Sequence, residues 1–186
     1  YPEILPEAIE KKYDAIFIGR LHPQKGVMEM LDIWKMLNLN LGYKDYRLAI
    51  VGDGPLEQIM RQRIKDENIN AIMFGYLDGE ELIKIIMQSK ICLHPAVYDS
   101  GGIAACQAMA YGLPVIGRDL EVFETYYPKG MVKADIFSVK NYAWTIARVL
   151  NSKKFYDRLS KEAREWAYEN SWPKMIERVN AELYTD

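Results

Sequence analysis

Short apolar runs alternate with amphipathic stretches along most of the chain, and no other feature restricts its fold so tightly. Ala15-Ile16-Phe17-Ile18, Leu48 to Val51, Ala71 to Phe74, Ile91 to Leu93 and Val115-Ile116 have the length and composition of buried strands. After the first of them, Val27, Met30, Leu31, Trp34 and Leu37 recur at helical spacing. Pro55 opens a second helix at the first-turn position, where its missing N–H costs nothing. Asp78 and Glu81 form a capping-box pattern ahead of Leu82, Ile85 and Ile86. A small-residue helix runs from Ile103 to Tyr111. Strand alternating with helix predicts an α/β fold, a mostly parallel sheet with helices on both faces. A polar, proline-marked lead, Tyr1 to Lys12, precedes the alternation. Two C-terminal helices end it, Lys153 to Asn170 and a second that starts from a Ser171 cap.

In such a sheet, ligands bind outside the carboxyl ends of the strands, and the chemically useful residues fall there. The run Ile91 to Leu93 ends at His94-Pro95, and the loop beyond carries Asp99, Gly101 and Gly102. Glycines entering a helix let backbone N–H groups approach an anion, with the helix dipole favouring negative charge. Asp99 and Gln107 bracket that helix start with polar groups. This is the layout of a site for a phosphorylated, hydroxyl-rich ligand. Arg20 and Lys25 follow the first strand. As a surface pair they would merely be solvated. As a clamp on a pyrophosphate, each charge-assisted contact contributes roughly 1.5–3 kcal/mol, and their place at a strand's end favours the clamp. Gly52 and Gly54, in Gly-Asp-Gly-Pro, read as a turn before a helix or as a backbone approach to ligand. His94 reads as a packing residue and His22 as a loop-surface one.

Composition removes several function classes. A net charge of −2 and scattered basic residues leave no electrostatic footprint for nucleic acid. The two cysteines, Cys92 and Cys106, have no CxxC partner or histidine cluster, so no zinc site is predicted, and thiols at core positions fit a reducing compartment. No apolar run approaches the roughly 18 residues of a membrane span. The length suits one domain, and a start at Tyr1 instead of Met suggests an excised fragment.

Four motifs in order, from Phe17 to Gly117, carry a family resemblance. Gly19-Arg20-Leu21 with Lys25-Gly26 comes first, then Val51-Gly52-Asp53-Gly54-Pro55, then Phe74-Gly75-Tyr76-Leu77 before Glu80-Glu81-Leu82. The fourth is Pro95-Ala96, Asp99-Ser100-Gly101-Gly102-Ile103 and Gln107-Ala108-Met109-Ala110-Tyr111-Gly112-Leu113-Pro114-Val115-Ile116. Together they resemble the donor side of retaining GT-B glycosyltransferases. The resemblance implies a Rossmann-like half of a GT-B fold, with residues 1–186 forming the C-terminal nucleotide-sugar-binding domain and the N-terminal acceptor domain absent. It implies transfer of a hexose from a nucleoside diphosphate sugar to a sugar, lipid or protein acceptor, with no metal or other cofactor and a fragment inactive alone. It also implies a cytoplasmic setting, or the cytoplasmic face of a membrane reached through the missing half.

The implied catalytic set is Asp99, Arg20 and Lys25, the two cations neutralising the departing diphosphate. The implied donor-binding set adds Gly19, Gly52, Tyr76, Leu77, Gly101, Gly102, Ile103 and Gln107, with the base held through the backbone at Tyr76 and Leu77. Two positions depart from the family's pair of glutamates. Asp99 keeps the charge with one methylene less, and Gln107 offers the ribose a single neutral oxygen. Two alternatives stand beside this reading: a sugar-nucleotide epimerase of GT-B architecture, and a non-catalytic module that uses the fold for protein contacts.

Overall fold

In a computed structural model, which describes residues 9–135 and 138–183, the apolar runs lie side by side as six parallel strands. These are β1 (Tyr13–Ile18), β2 (Leu48–Val51), β3 (Ala71–Gly75), β4 (Ser89–His94), β5 (Val115–Arg118) and β6 (Met131–Ala134). Their order across the sheet is β3-β2-β1-β4-β5-β6. The central strand β1 is flanked on both sides, Ile16 standing opposite Ala49 of β2 and Cys92 of β4. Helices α1 (Val27–Lys35), α2 (Glu57–Asp66), α3 (Gly79–Met87), α4 (Ile103–Ala110) and α5 (Glu121–Tyr126) follow β1 to β5 in turn. After β6 come α6 (Val139–Asn151), α7 (Lys153–Glu169) and α8 (Trp172–Leu183). The first eight residues of the proline-marked lead lie outside the described residues.

Successive side chains of a strand point to opposite faces, so each strand feeds two cores. Ala15, Phe17, Leu48, Ile50, Ile91 and Leu93 pack with Met30, Leu31 and Trp34 of α1 and with Tyr142 and Ile146 of α6. Ile16, Ala49, Val51, Cys92 and Val115 face Ile86 of α3, Met109 of α4 and Ala163 of α7. Burial of each large apolar side chain contributes roughly 1.5–3 kcal/mol, and Phe17, Leu31 and Trp34 are wholly enclosed. The small residues of α4 have their reason here: Ala105 and Ala108 let that helix lie close against Ala163 and Ala167 of α7.

Three elements go beyond the sequence prediction: α5, β6 and α6. Two start signals are corrected. Asp78 stands at the start of α3, yet its side chain caps nothing and accepts instead from the Tyr76 hydroxyl at 3.4 Å. Pro55 lies in a turn ahead of α2, not in its first turn: the Glu57 N–H bonds the Gly54 carbonyl at 3.1 Å and the helix begins at Glu57. Among the described residues, no helix is long and apolar enough to cross a membrane.

Candidate functional site

Strand order reverses direction between β1 and β4, which leaves a crevice beyond their carboxyl ends. The loops leaving these two strands meet there. The β1 loop makes a 3-10 turn at Pro23–Lys25, its start capped by His22, whose Nδ1 accepts from the Gln24 N–H at 3.3 Å. Gly26 ends the turn in a left-handed conformation (φ +64°) and lies so close to the Pro95 carbonyl that a Cβ would stand 2.1 Å from its oxygen. On the other side of the contact, the Val97 N–H donates to the Gln24 carbonyl at 3.0 Å. The two loops are therefore joined backbone to backbone. Only glycine fits at position 26.

This junction brings Lys25 to Asp99, with Nζ 2.6 Å from Oδ2. The carboxylate collects three further donors. His94 Nε2 lies 3.0 Å from Oδ2, and Oδ1 accepts from the N–H groups of Gly101 at 3.1 Å and Gly102 at 2.8 Å. A carboxylate offers about four acceptor positions. All are occupied by protein donors. The hydrogen bond from His94, then those of Lys25, Gly102 and Gly101, hold the Asp99 carboxyl well below the usual carboxylate range against an opposing effect of burial. Asp99 is thus ionised, and His94 presents its proton on Nε2.

Beneath the turn, the Tyr127 hydroxyl reaches the carbonyl oxygens of Gly101 and Gly102 at 2.6 and 2.7 Å. The Tyr127 ring rests between Phe123 and Trp166, and Phe123 also meets the edge of His94. The glycine turn is therefore held from below by its carbonyls and from the side by Asp99. At the start of α4 the Ala105 N–H already bonds the Gly102 carbonyl at 2.8 Å, and Ile103 and Ala104 line the crevice beside the turn.

Two neighbouring hollows occupy the crevice and share Ile18 and Gly19. One, of about 450 Å³, is lined by Lys25, His94, Asp99, Gly101, Gly102 and Ile103. The other, of about 550 Å³, is lined by Arg20, Gly52, Asp53, Tyr76, Leu77 and Gln107. Every residue predicted for the site lines one hollow or the other. Arg20 lines the second hollow and Lys25 the first. Gly52 packs against the residue just past β1: a Cβ there would stand 1.9 Å from the Gly19 carbonyl oxygen. Gly52 thus keeps a main-chain contact that a side chain would break, and it lines the wall of the second hollow.

Sequence reasoning read His94 as a packing residue, where it also bonds Asp99, and passed over Tyr127 and Arg118. Arg118 is buried at the end of β5, donates from Nε to the Pro95 carbonyl at 2.7 Å and pairs with Glu29 of α1. An arginine closing an apolar strand was the available signal for it. Cys92 takes no part: burial pushes its thiol up to about 12.

The sequence pattern of the group 1 glycosyl transferases matches residues 5–166. The chain belongs to this family. A glycosyltransferase of Methanocaldococcus jannaschii, itself uncharacterised, is 26% identical over 89% of this chain and 43% of its own length. A GDP-mannose-dependent alpha-mannosyltransferase of Corynebacterium glutamicum is 34% identical over 54% of this chain and 22% of its own length. The chain therefore spans less than half the length of either relative. Among solved structures, S. aureus TarM, crystallised with UDP, shares the fold with a TM-score of 0.82 at 17% identity, over 98% of this chain and 37% of TarM. Anabaena HepE in complex with UDP and glucose gives a TM-score of 0.76 at 14% identity, over 94% of this chain and 48% of HepE. The expected Rossmann-like α/β sheet of a GT-B glycosyltransferase is what the chain forms.

Proposed function

We propose that this group 1 glycosyltransferase chain is the donor-binding half of the enzyme, taking a nucleoside diphosphate sugar across the two joined hollows. The observation that carries the reading is the convergence of Arg20, Lys25, Tyr76, Leu77, Asp99, the glycine turn and Gln107 on one crevice at the switch point. The nucleoside would lie along Tyr76, Leu77 and Gln107, and the sugar beside Lys25 and the glycine turn. The diphosphate between them would meet Arg20 and Lys25, the first N–H groups of α4 and that helix's positive dipole end. As the glycosidic bond breaks, negative charge grows on the departing diphosphate. Fixed cations and amides already aimed at it stabilise that charge without reorganising. The reaction would move a hexose to a sugar, lipid or protein acceptor with retention, the acceptor being held by the other half of the full-length protein. Any membrane association would come through that half.

Isothermal titration of the 186-residue chain with UDP, GDP and ADP and their sugars tests the reading. At least one should bind, and none should be consumed by this chain alone. Absence of heat or thermal shift with all of them at millimolar concentration would rule the site out. A non-catalytic reading draws on the complete engagement of Asp99. Product analysis of the full-length protein, with labelled donor and with or without acceptors, separates transfer from epimerisation and from no reaction.

A further inference from the structure

The ligands gathered around Asp99 are those a phosphate oxygen would seek. One is an ammonium, that of Lys25, and two are helix-entry amides, those of Gly101 and Gly102. Asp99 reaches them because its side chain is short enough to turn back on its own loop, to amides two and three residues ahead. The two partners of the ion pair are unequally free. The Asp99 side chain is 6% exposed and is fixed by His94 and both amides, whereas Lys25 is 31% exposed on a flexible stem at the edge of the hollow. The lysine can swing away, and the carboxylate cannot follow.

We propose that Asp99 is a resident counter-anion of the crevice, holding Lys25 until a phosphate oxygen of the ligand takes the lysine from it. The inference rests on the nucleotide-site reading above. Binding is then an exchange of partners and not a simple addition. Part of the attraction between Lys25 and the ligand is offset by the contact with Asp99 that must break. The carboxylate also remains beside the bound phosphate as a like charge. The same carboxylate reclaims the lysine when the nucleoside diphosphate leaves, which favours release of product over its retention.

The test compares wild type, Asp99→Asn, Lys25→Ala and the double variant by calorimetric titration with UDP and with inorganic pyrophosphate. Asparagine keeps an oxygen for the Gly101 and Gly102 amides, so the turn is retained while the charge is lost. Asp99→Asn should bind about three- to tenfold more tightly than wild type, and the gain should vanish when Lys25 is also alanine. Wild-type binding with no gain in Asp99→Asn, or a gain that survives loss of Lys25, would overturn this inference alone. No binding by any of the four proteins would remove the nucleotide-site reading and this inference with it. A measurement on the wild type keeps the test decisive if Asp99→Asn does not fold. The Lys25 side-chain ammonium resonance should move on saturation with UDP, together with the amides of Gly101 and Gly102. Those three signals standing still while Gly19 and Leu77 shift would show that Asp99 never releases its partner.

Discussion

Arg118 Nε donates to the carbonyl oxygen of Pro95 at 2.7 Å, and this buried bond joins the ends of β5 and β4 beneath the crevice. The same guanidinium pairs with Glu29 in the first turn of α1. It thereby holds from behind the segment against which Gly26 packs. Lysine has no planar fork to serve both partners. Arg118→Lys should cost about 1–3 kcal/mol of stability, as expected when a buried carbonyl loses its donor. Urea unfolding followed by tryptophan fluorescence measures it. An unchanged midpoint would mean the strut is dispensable.

Tyr127→Phe removes one oxygen and leaves the Gly101 carbonyl without its donor. Stability should fall by about 1–2 kcal/mol, a melting-temperature loss of roughly 2–8 °C for a chain this long. Because the hydroxyl steadies the glycine turn, nucleotide affinity should fall as well. Calorimetric melting and ligand titration of the same preparation check both. A stability loss with affinity intact would confine Tyr127 to packing.

Arg20 and Lys25 should respond differently to truncation. Arg20 is exposed and takes no part in the Asp99 cluster, so Arg20→Ala should weaken UDP binding by about 1–3 kcal/mol without affecting the melting temperature. Lys25→Ala also strips the nearly buried Asp99 carboxylate of its cation. It should lower both affinity and stability. Parallel binding and melting curves distinguish the two outcomes, and equal behaviour of the variants would contradict the geometry.

Acid should expose the contribution of Asp99. Its folded-state pKa is depressed, chiefly by the hydrogen bond from His94. The stabilisation is therefore fully present above the ordinary aspartate value, about 3.9, and is lost as pH falls through the folded value. The stability advantage of wild type over Asp99→Asn should hold steady from pH 7 to 5 and narrow below about pH 4. Urea midpoints at pH 7, 5, 4 and 3 read this directly. A constant gap throughout would mean that the ionised carboxylate is not what stabilises the loop.

Gln107→Glu should tighten nucleotide binding if Gln107 meets the ribose, because a carboxylate offers two charged oxygens to the paired hydroxyls. The nearby start of α4 tolerates added negative charge. A gain seen with UDP and absent with its 2′-deoxy analogue would identify the contact as ribose recognition. Equal or weaker affinity would assign Gln107 another place in the hollow.

Much of this architecture was legible because β1, β2, β4 and β5 are buried on both faces, and such strands must be written as unbroken apolar runs. Edge strand β6 escaped notice for the converse reason. Its four residues include Lys133, and the middle two are only half-buried, so no apolar run marks it. The buried stripe of α6, Tyr142, Ala143, Ile146 and Ala147, is interleaved with Trp144 and Thr145 and blurs in the same way. The Asp78 capping pattern misled because sequence spacing does not fix which donor a carboxylate meets, and here it accepts from the Tyr76 hydroxyl. At the site, position was readable and partnership was not. The motifs assign Lys25 and Asp99 to the same crevice, but their contact depends on the close approach of Gly26 to Pro95.

That close approach has a consequence for anyone wishing to redirect the chain to another sugar nucleotide. The Gly26–Pro95 and Gly52–Gly19 contacts are main chain against main chain, so library diversity introduced at either glycine will be spent on collapsed variants. Useful variation belongs at Asp53, Tyr76 and Ser100, side chains that line the two hollows without supporting those contacts. The crevice behaves as a fixed mould with three adjustable pins.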